Sequence, residues 1–415
     1  LVLSPTSNLG SLEATNVTGY VPRAGTLGQL EALANPGLLV ISAGAEVELV
    51  DDTTLNTYEP ALYRYTSAEG VRFEIGPTQG VRKVTDRNGN AVTFGPGGVL
   101  HSNGTGIVFS RDPQGRIVAI TDPAGNVQSY AYDGNGDLVR HVNAVGGVST
   151  YAYDRSHGLI DIRDAAGTQS VRNEYDAQGR LTAMIDAAGR RIAFTRNPAA
   201  NEEIVTDRRG SQTRVVYDGN GNVLTSERAV TIEGVLTNAV TTRTYDARNN
   251  VTQTIDPDGR RQAAPFSGKL LTSEATDPGG LNLLTTFAYN ARNDVSSATD
   301  ALGRPFTFAY DGTGNLTGAT TPLTGATTAQ ANAQGQPTRL VDAAGNATVL
   351  TRDAAGPVIR EERLDAAATL LRRVDFTWDA NGNKASETLY RTVGGTLTPQ
   401  TTRFAYDAAN RLVRV

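Results

Sequence analysis

The 415-residue sequence contains no cysteine, one methionine, one tryptophan and three histidines. Without cysteine, disulfides, thiolate metal sites and a Cys nucleophile are excluded in any redox compartment. His101, His141 and His157 stand far apart, with no Glu or His at metal-ligand spacing, so the sequence predicts no zinc site. A basic excess is also lacking. The chain has 38 Lys+Arg against 43 Asp+Glu, a net charge of −5, and so carries no electrostatic footprint for nucleic acid or anionic lipid. No apolar run approaches the ~18 residues of a membrane helix. The first residue is Leu, with no charged and apolar leader behind it. The expectation is a mature fragment of a longer chain, truncated at its C-terminus, whose export signal lies upstream.

What the sequence has in abundance is repetition. The segment Tyr175-Asp176-Ala-Gln-Gly179-Arg180-Leu181 recurs along most of the chain. Aligned on the Asp position, the copies sit at Asp112, Asp133, Asp154, Asp176, Asn197 and Asp218, then at Asp246, Ser267, Asn290, Asp311, Asn332 and Asp353, then at Asp379 and Asp407. Most intervals are 21 residues. A second Asp follows most anchors by ten residues, as at Asp122, Asp164, Asp186, Asp207, Asp256, Asp277, Asp300 and Asp342, with Gly three places on. Asp at the first and Gly at the fourth position suit a type I turn, so the chain reverses about every ten residues. Between turns, segments such as Arg304-Pro-Phe306-Thr-Phe308-Ala-Tyr310 alternate with period two, as strands do.

Two strands per cassette over 14 anchors give about 25–28 strands, a ribbon roughly 120–130 Å wide at ~4.8 Å per strand. Open twisted sheets rarely exceed ~10 strands, so the fold expected is an all-β antiparallel meander that curls into a spiral, hollow wall. Three interruptions, Arg228–Arg243, Glu361–Val374 and Ser386–Arg403, read as longer hairpins. In Thr320–Gln336 the rings vanish, with Ala329 and Ala331 at their positions, which predicts a thin place in the sheet. Residues 1–75 lack the cadence and read as a small irregular lead-in or plug, with a short helix over Thr26–Ala34; residues 76–415 form the array.

Abundant Asp raises the question of calcium or acid-base chemistry. Asp133-Gly-Asn135-Gly-Asp137 and Asp379-Ala-Asn381-Gly-Asn383 come nearest to a calcium loop but lack the acidic closing ligand, so turn formation accounts for them. Gly95-Pro-Gly97-Gly98 and Gly104-Thr-Gly106 are followed by no G-K-[ST] and no G-x-S-x-G occurs. Rings beside Arg could stack sugars or single-stranded nucleic acid, but rings in fixed register on one strand face are accounted for by cross-strand packing. No catalytic, cofactor-binding or metal-binding residue is predicted, no cofactor, and no enzyme.

The Y-D-x-x-G-x-L pattern, with D-x-x-G between copies, resembles the YD repeats of the Rhs family over roughly residues 58–415. That family includes bacterial polymorphic toxins, the B and C components of Tc toxin complexes, and the extracellular region of teneurins. The resemblance implies a secreted or cell-surface β-shell that encloses a C-terminal toxin or other polypeptide. In bacterial members a closing segment with an aspartate-dependent self-cleavage motif follows the array; neither that segment nor a toxin domain is found here. The alternative it implies is a teneurin-like adhesion array that binds protein or glycan on its outer face. Partners are therefore expected to be enclosed polypeptide or other segments of a longer chain.

Overall fold

The reversals are built from one recurring set of contacts. In the computed structural model, which describes residues 2–3, 7–8, 12–21, 28–43, 46–232, 235–393 and 396–415, the turn at Asp176 is typical. Gly179 N–H donates to the Asp176 carbonyl at 2.9 Å and Asp176 N–H to the Arg180 carbonyl at 3.0 Å. One carboxylate oxygen accepts from the backbone N–H of Gln178 and of Arg180, both at 3.0 Å, and the other accepts from Arg180 Nε at 2.8 Å. Gly179 has φ 74°. This is a type I turn closed by a left-handed residue, a three-residue hairpin loop.

Where Gly is missing from the left-handed slot, Asn249, Asn293, Asn410 and His157 fill it. Asn tolerates that conformation because its short polar side chain bonds locally. Ala368, at φ 63°, has no such help. Ala368→Gly is therefore expected to stabilise the protein by about 1 kcal/mol. It relieves about 1–2 kcal/mol of left-handed strain against about 0.4–1 kcal/mol of added unfolded-chain entropy. A thermal-unfolding midpoint that fails to rise would contradict this.

Strands follow the turns with the expected alternation. In Pro305–Tyr310 the two Phe and the Tyr are half-buried, whereas Pro305, Thr307 and Ala309 are exposed. Thirty-three described strands form one antiparallel ladder, from Gln29–Ala32 through Tyr63–Thr66 to Thr396–Arg403. Among the described residues each end strand pairs only with its neighbour, Gln29–Ala32 with Tyr63–Thr66 and Thr396–Arg403 with Lys384–Val393, so the ribbon is open. At ~4.8 Å per strand it is about 160 Å wide.

The ribbon curls because its margins differ. On the margin carrying the Tyr-Asp turns the register slips by one residue in most cassettes, as at Ala131/Tyr132, Ala152/Tyr153, Val216/Tyr217 and Ala309/Tyr310. On the other margin most pairs close in register, as Thr121 with Val127 and Thr299 with Pro305. A bulge bends its strand and adds right-handed twist, so bulges confined to one margin wind the sheet. The wall is one layer thick. Its accessible surface is 24960 Å², against about 15,000 Å² for a compact monomer of this mass. Only eight described hydrophobic residues are buried, and of the large ones only Leu38 and Val374 are buried completely.

The first residues hold a correction. The helix predicted over Thr26–Ala34 is a strand at Gln29–Ala32, while 26 and 27 lie outside the described residues. Tertiary pairing overrides the local pattern: Gln29 sits opposite Thr66, and Arg64 bonds Glu31 at 2.9 Å. Val2–Leu3, Ser7–Asn8, Leu12–Gly19, Gly37–Ala43 and Glu46–Asp51 form a separate five-stranded sheet. The ladder itself begins upstream of residue 76, through Tyr63–Thr66 and Arg72–Gly76.

The longer hairpins are present. Val223–Ile232 pairs with Val235–Tyr245, and Lys384–Val393 with Thr396–Arg403; the tip residues 233–234 and 394–395 lie outside the described residues. At the Ser267 anchor the copy degenerates. Arg261–Ala263 pairs directly with Ser273–Thr276, and Phe266–Ser267 with Leu270–Leu271 forms a side hairpin. In the ring-poor copy the strands persist, Ala319 opposite Thr327 and Ala329 opposite Leu340, and these residues line a depression in the wall.

Candidate functional site

The residue before most of the anchors has a role that the sequence pattern does not display. Tyr132 Oη donates to the Ile117 carbonyl at 2.8 Å, and Tyr175 to Leu159, Tyr245 to Val223 and Tyr310 to Val295, each at 2.9 Å. The accepting residue lies five places after the preceding anchor. Here the ladder splays: pairing between Ile117–Thr121 and Val127–Tyr132 stops at Ala119 with Ser129. The tyrosine hydroxyl thus meets a carbonyl that the backbone ladder no longer reaches.

Other donors take the same place. Trp378 Nε1 reaches the Val358 carbonyl at 2.8 Å. Arg111, Arg196 and Arg352 reach the carbonyls of Pro96, Leu181 and Pro337 at 2.7, 2.5 and 3.1 Å. Where this bond forms, the donor is a long side chain ending in an N–H or O–H; Ala331, before Asn332, offers none. A count of donors one residue before each anchor, rather than of rings, would have shown this in the sequence.

Turn tips also join parts of the ribbon that are far apart in sequence. Arg87 Nη1 bonds Asp294 Oδ1 at 2.7 Å, and the side-chain amides of Asn88 and Asn315 bond each other twice at 3.0 Å. Asn90 Nδ2 donates to the Gln334 carbonyl and Asn103 Nδ2 to the Ala355 carbonyl, both at 2.9 Å. Asn381 accepts from Ala124 N–H at 3.0 Å and donates to Asp122 at 2.7 Å. The separations run from 207 to 259 residues. Turns on one margin of a first coil therefore dock against turns on the opposite margin of a second. Twenty-one strands separate the Asn88 turn from the Asn315 turn, a contour of about 100 Å at ~4.8 Å per strand, or a ring about 30 Å across.

The electrostatics of the turns fit a structural role. The Arg180 backbone N–H, opposed by partial burial and helped by the guanidinium, holds the Asp176 carboxyl below its ordinary range. The Asn222 side-chain amide does the same at Asp218, and the Arg304 guanidinium at Asp300. Carboxyls depressed in the folded state contribute stability that is complete above their unfolded value near pH 4 and is lost as pH falls through the folded values. Stability is therefore expected to be flat from these groups between about pH 5 and 8. It should fall below about pH 4, as followed by circular dichroism; loss of strand signal at pH 6 would contradict it.

The residues singled out for possible chemistry sit apart. Asp133 accepts from the backbone N–H of Asn135 and Asp137, and Asp137 pairs with His157 at 2.9 Å. His141 bonds Gln128 at 3.0 Å and stacks on Tyr130 with centroids 5.0 Å apart. His101 Nδ1 accepts from Asn103 N–H at 3.1 Å. Asp379 accepts from Asn381 and Asn383 N–H. Gly95-Pro-Gly97-Gly98 links two strands of the ladder with no helix behind it. Among the described residues, no three His, Asp or Glu converge on a common point.

Comparison with known proteins bears on what this wall is. The family described as RHS Repeat matches residues 111–148, 132–169, 153–191 and 289–326. These stretches of the chain carry RHS repeats. Among solved structures it is similar to the Tc holotoxin pore of Photorhabdus luminescens with a substituted TccC3, at TM-score 0.59 and 12% identity. It is also similar to TcdB2-TccC3-Cdc42, at 0.55 and 13%, and to TcdB2-TccC3, at 0.54 and 14%. Each likeness covers 97% of this chain and 24% of the other, so the chain spans about a quarter of their length. At this identity the likeness is one of fold. No curated protein matches the sequence. No helix among the described residues is long and apolar enough to cross a membrane.

Proposed function

We propose that this RHS-repeat chain is a wall segment of a secreted structural shell that encloses a polypeptide cargo and has no reactive centre of its own. The observation that carries the reading is the winding: a single-layer ribbon whose second coil docks on its first through the turn tips at Arg87–Asp294, Asn88–Asn315 and Asp122–Asn381. A wall that devotes its polar tips to joining its own coils and buries so little serves to bound a space. The Tc toxin structures, which share the fold, support a role in toxin carriage. Residues 76–415 form the body of the wall in this reading. The part of residues 1–75 outside the ladder strands Gln29–Ala32, Tyr63–Thr66 and Arg72–Gly76 acts as a lead-in or plug at its open end, where Tyr20 meets Tyr63 edge to face at 5.9 Å.

Proteinase K treatment of the natural full-length polypeptide tests the proposal. Peptides from enclosed segments should emerge only after the wall is denatured. Complete cleavage of every segment outside the array while the array strands stay intact would overturn it.

A further inference from the structure

Five turns place Asn-Gly at their third and fourth positions: Asn88-Gly89, Asn103-Gly104, Asn135-Gly136, Asn220-Gly221 and Asn381-Gly382. Their backbones are alike. Each Gly N–H donates to the carbonyl three residues earlier at 3.0–3.2 Å, with Gly φ between 80° and 94°. Their side chains are not alike. Asn88 is held in the double amide bond to Asn315. Asn103 donates to the Ala355 carbonyl at 2.9 Å and accepts twice from Thr105, at 3.0 and 2.7 Å. Asn381 is tied to Ala124, Asp122 and Asn410. Asn135 and Asn220 are exposed, and each has only its backbone N–H bonded, to the anchor Asp.

The geometry points to a covalent modification pattern. Asn135 and Asn220 are spontaneous deamidation sites, and the coil seam shields Asn88, Asn103 and Asn381 from the same reaction. The backbone nitrogen of the following Gly loses its proton and bonds to the Asn side-chain carbonyl carbon. The bond from that carbon to Nδ2 breaks and ammonia leaves, closing a five-membered succinimide. Water then opens either ring carbonyl, giving aspartate or isoaspartate; water is the only co-reactant and no electrons change hands. The side chain must swing over its own backbone for attack. Asn135 and Asn220 are free to do so, whereas the three seam residues must first break bonds to another coil. At Asn381 the reaction would set a new carboxylate against Asp122, so modification of the seam also loosens it. The pattern does not depend on whether the shell encloses a cargo.

The test is peptide mapping by mass spectrometry of the full chain held at pH 8, folded and in urea. In urea the five sites should react at similar rates. In the folded protein Asn135 and Asn220 should react at least about tenfold faster than the three seam sites, the factor that about 1.4 kcal/mol of side-chain fixation gives. Asn315→Ala, which removes the partner of Asn88, should speed Asn88 alone and leave Asn103 and Asn381 slow, with circular dichroism confirming that the strands persist. Equal rates at all five sites in the folded chain, or an Asn88 that stays slow in the Asn315→Ala variant, would overturn the inference.

Discussion

Arg87→Ala is expected to uncouple the two coils while leaving each strand ladder intact. Burial alone would raise the Asp294 carboxyl, but the Arg87 guanidinium, the Asn290 amide and the charge of Arg292 together hold it below its ordinary range. The Asp294 side chain is only 12% exposed. Removing Arg87 leaves that mostly buried carboxylate with the Asn290 amide at 3.3 Å as its remaining side-chain partner. An unsatisfied buried polar group costs about 1–3 kcal/mol, which shifts the docked-to-undocked ratio about 5- to 150-fold. Hydrogen exchange should quicken at 86–90 and 290–315, with no change in the strands Leu138–Val142 or Val148–Tyr153 far from the seam. Small-angle scattering should show expansion, all the more with Asn88→Ala added. If exchange and scattering of that double variant match the parent, the seam does not hold the coils together.

The second large effect concerns the strap between cassettes. Trp378→Ala removes the Nε1 bond to the Val358 carbonyl and the contact with the Phe376 ring, whose centroid lies 6.4 Å away. Full truncation of a buried aromatic costs about 3–5 kcal/mol, and because Trp378 is half-buried the expected loss is about 2–3 kcal/mol, within the spread that partial burial allows. Trp378→Phe keeps a ring and loses the donor, at about 1 kcal/mol. Arg352→Tyr keeps a donor toward the Pro337 carbonyl and loses only the Arg352 bond to the Gly356 carbonyl at 2.8 Å, so it should cost less than Arg352→Ala, which loses both, at about 1 kcal/mol or more. Denaturant titration of the four variants decides the point. If Trp378→Phe and Arg352→Ala are both neutral, the donor at this position contributes nothing.

The turns, the strand period and the curling of the sheet were legible because each depends on residues within about ten positions of one another. Asp176 and Gly179 suffice to define a reversal, and Phe306, Phe308 and Tyr310 a strand face. The strap was half legible: the tyrosines were visible as rings, but the hydroxyl acts on a carbonyl 15 to 22 residues back, and Arg111, Arg196 and Arg352 do not resemble tyrosine. The seam was not legible, because contact between Asn88 and Asn315 is set by the circumference of the coil, a property of the whole ribbon. The segment at Gln29–Ala32 misled for the converse reason. Leu27, Leu30 and Leu33 fit a helical spacing, and only the partner strand at Tyr63–Thr66 decides otherwise.

The ladder joins almost every strand to the one made just before it, a few residues away along the chain. Such a protein has low contact order for an all-β molecule. It can be laid down progressively as it leaves the ribosome or an export channel, each new hairpin finding its template already in place. Only when the second revolution begins do distant parts of the polypeptide meet. Pulled from Val415, the same molecule should therefore pay out hairpin by hairpin, in a long series of small force steps, like thread from a spool.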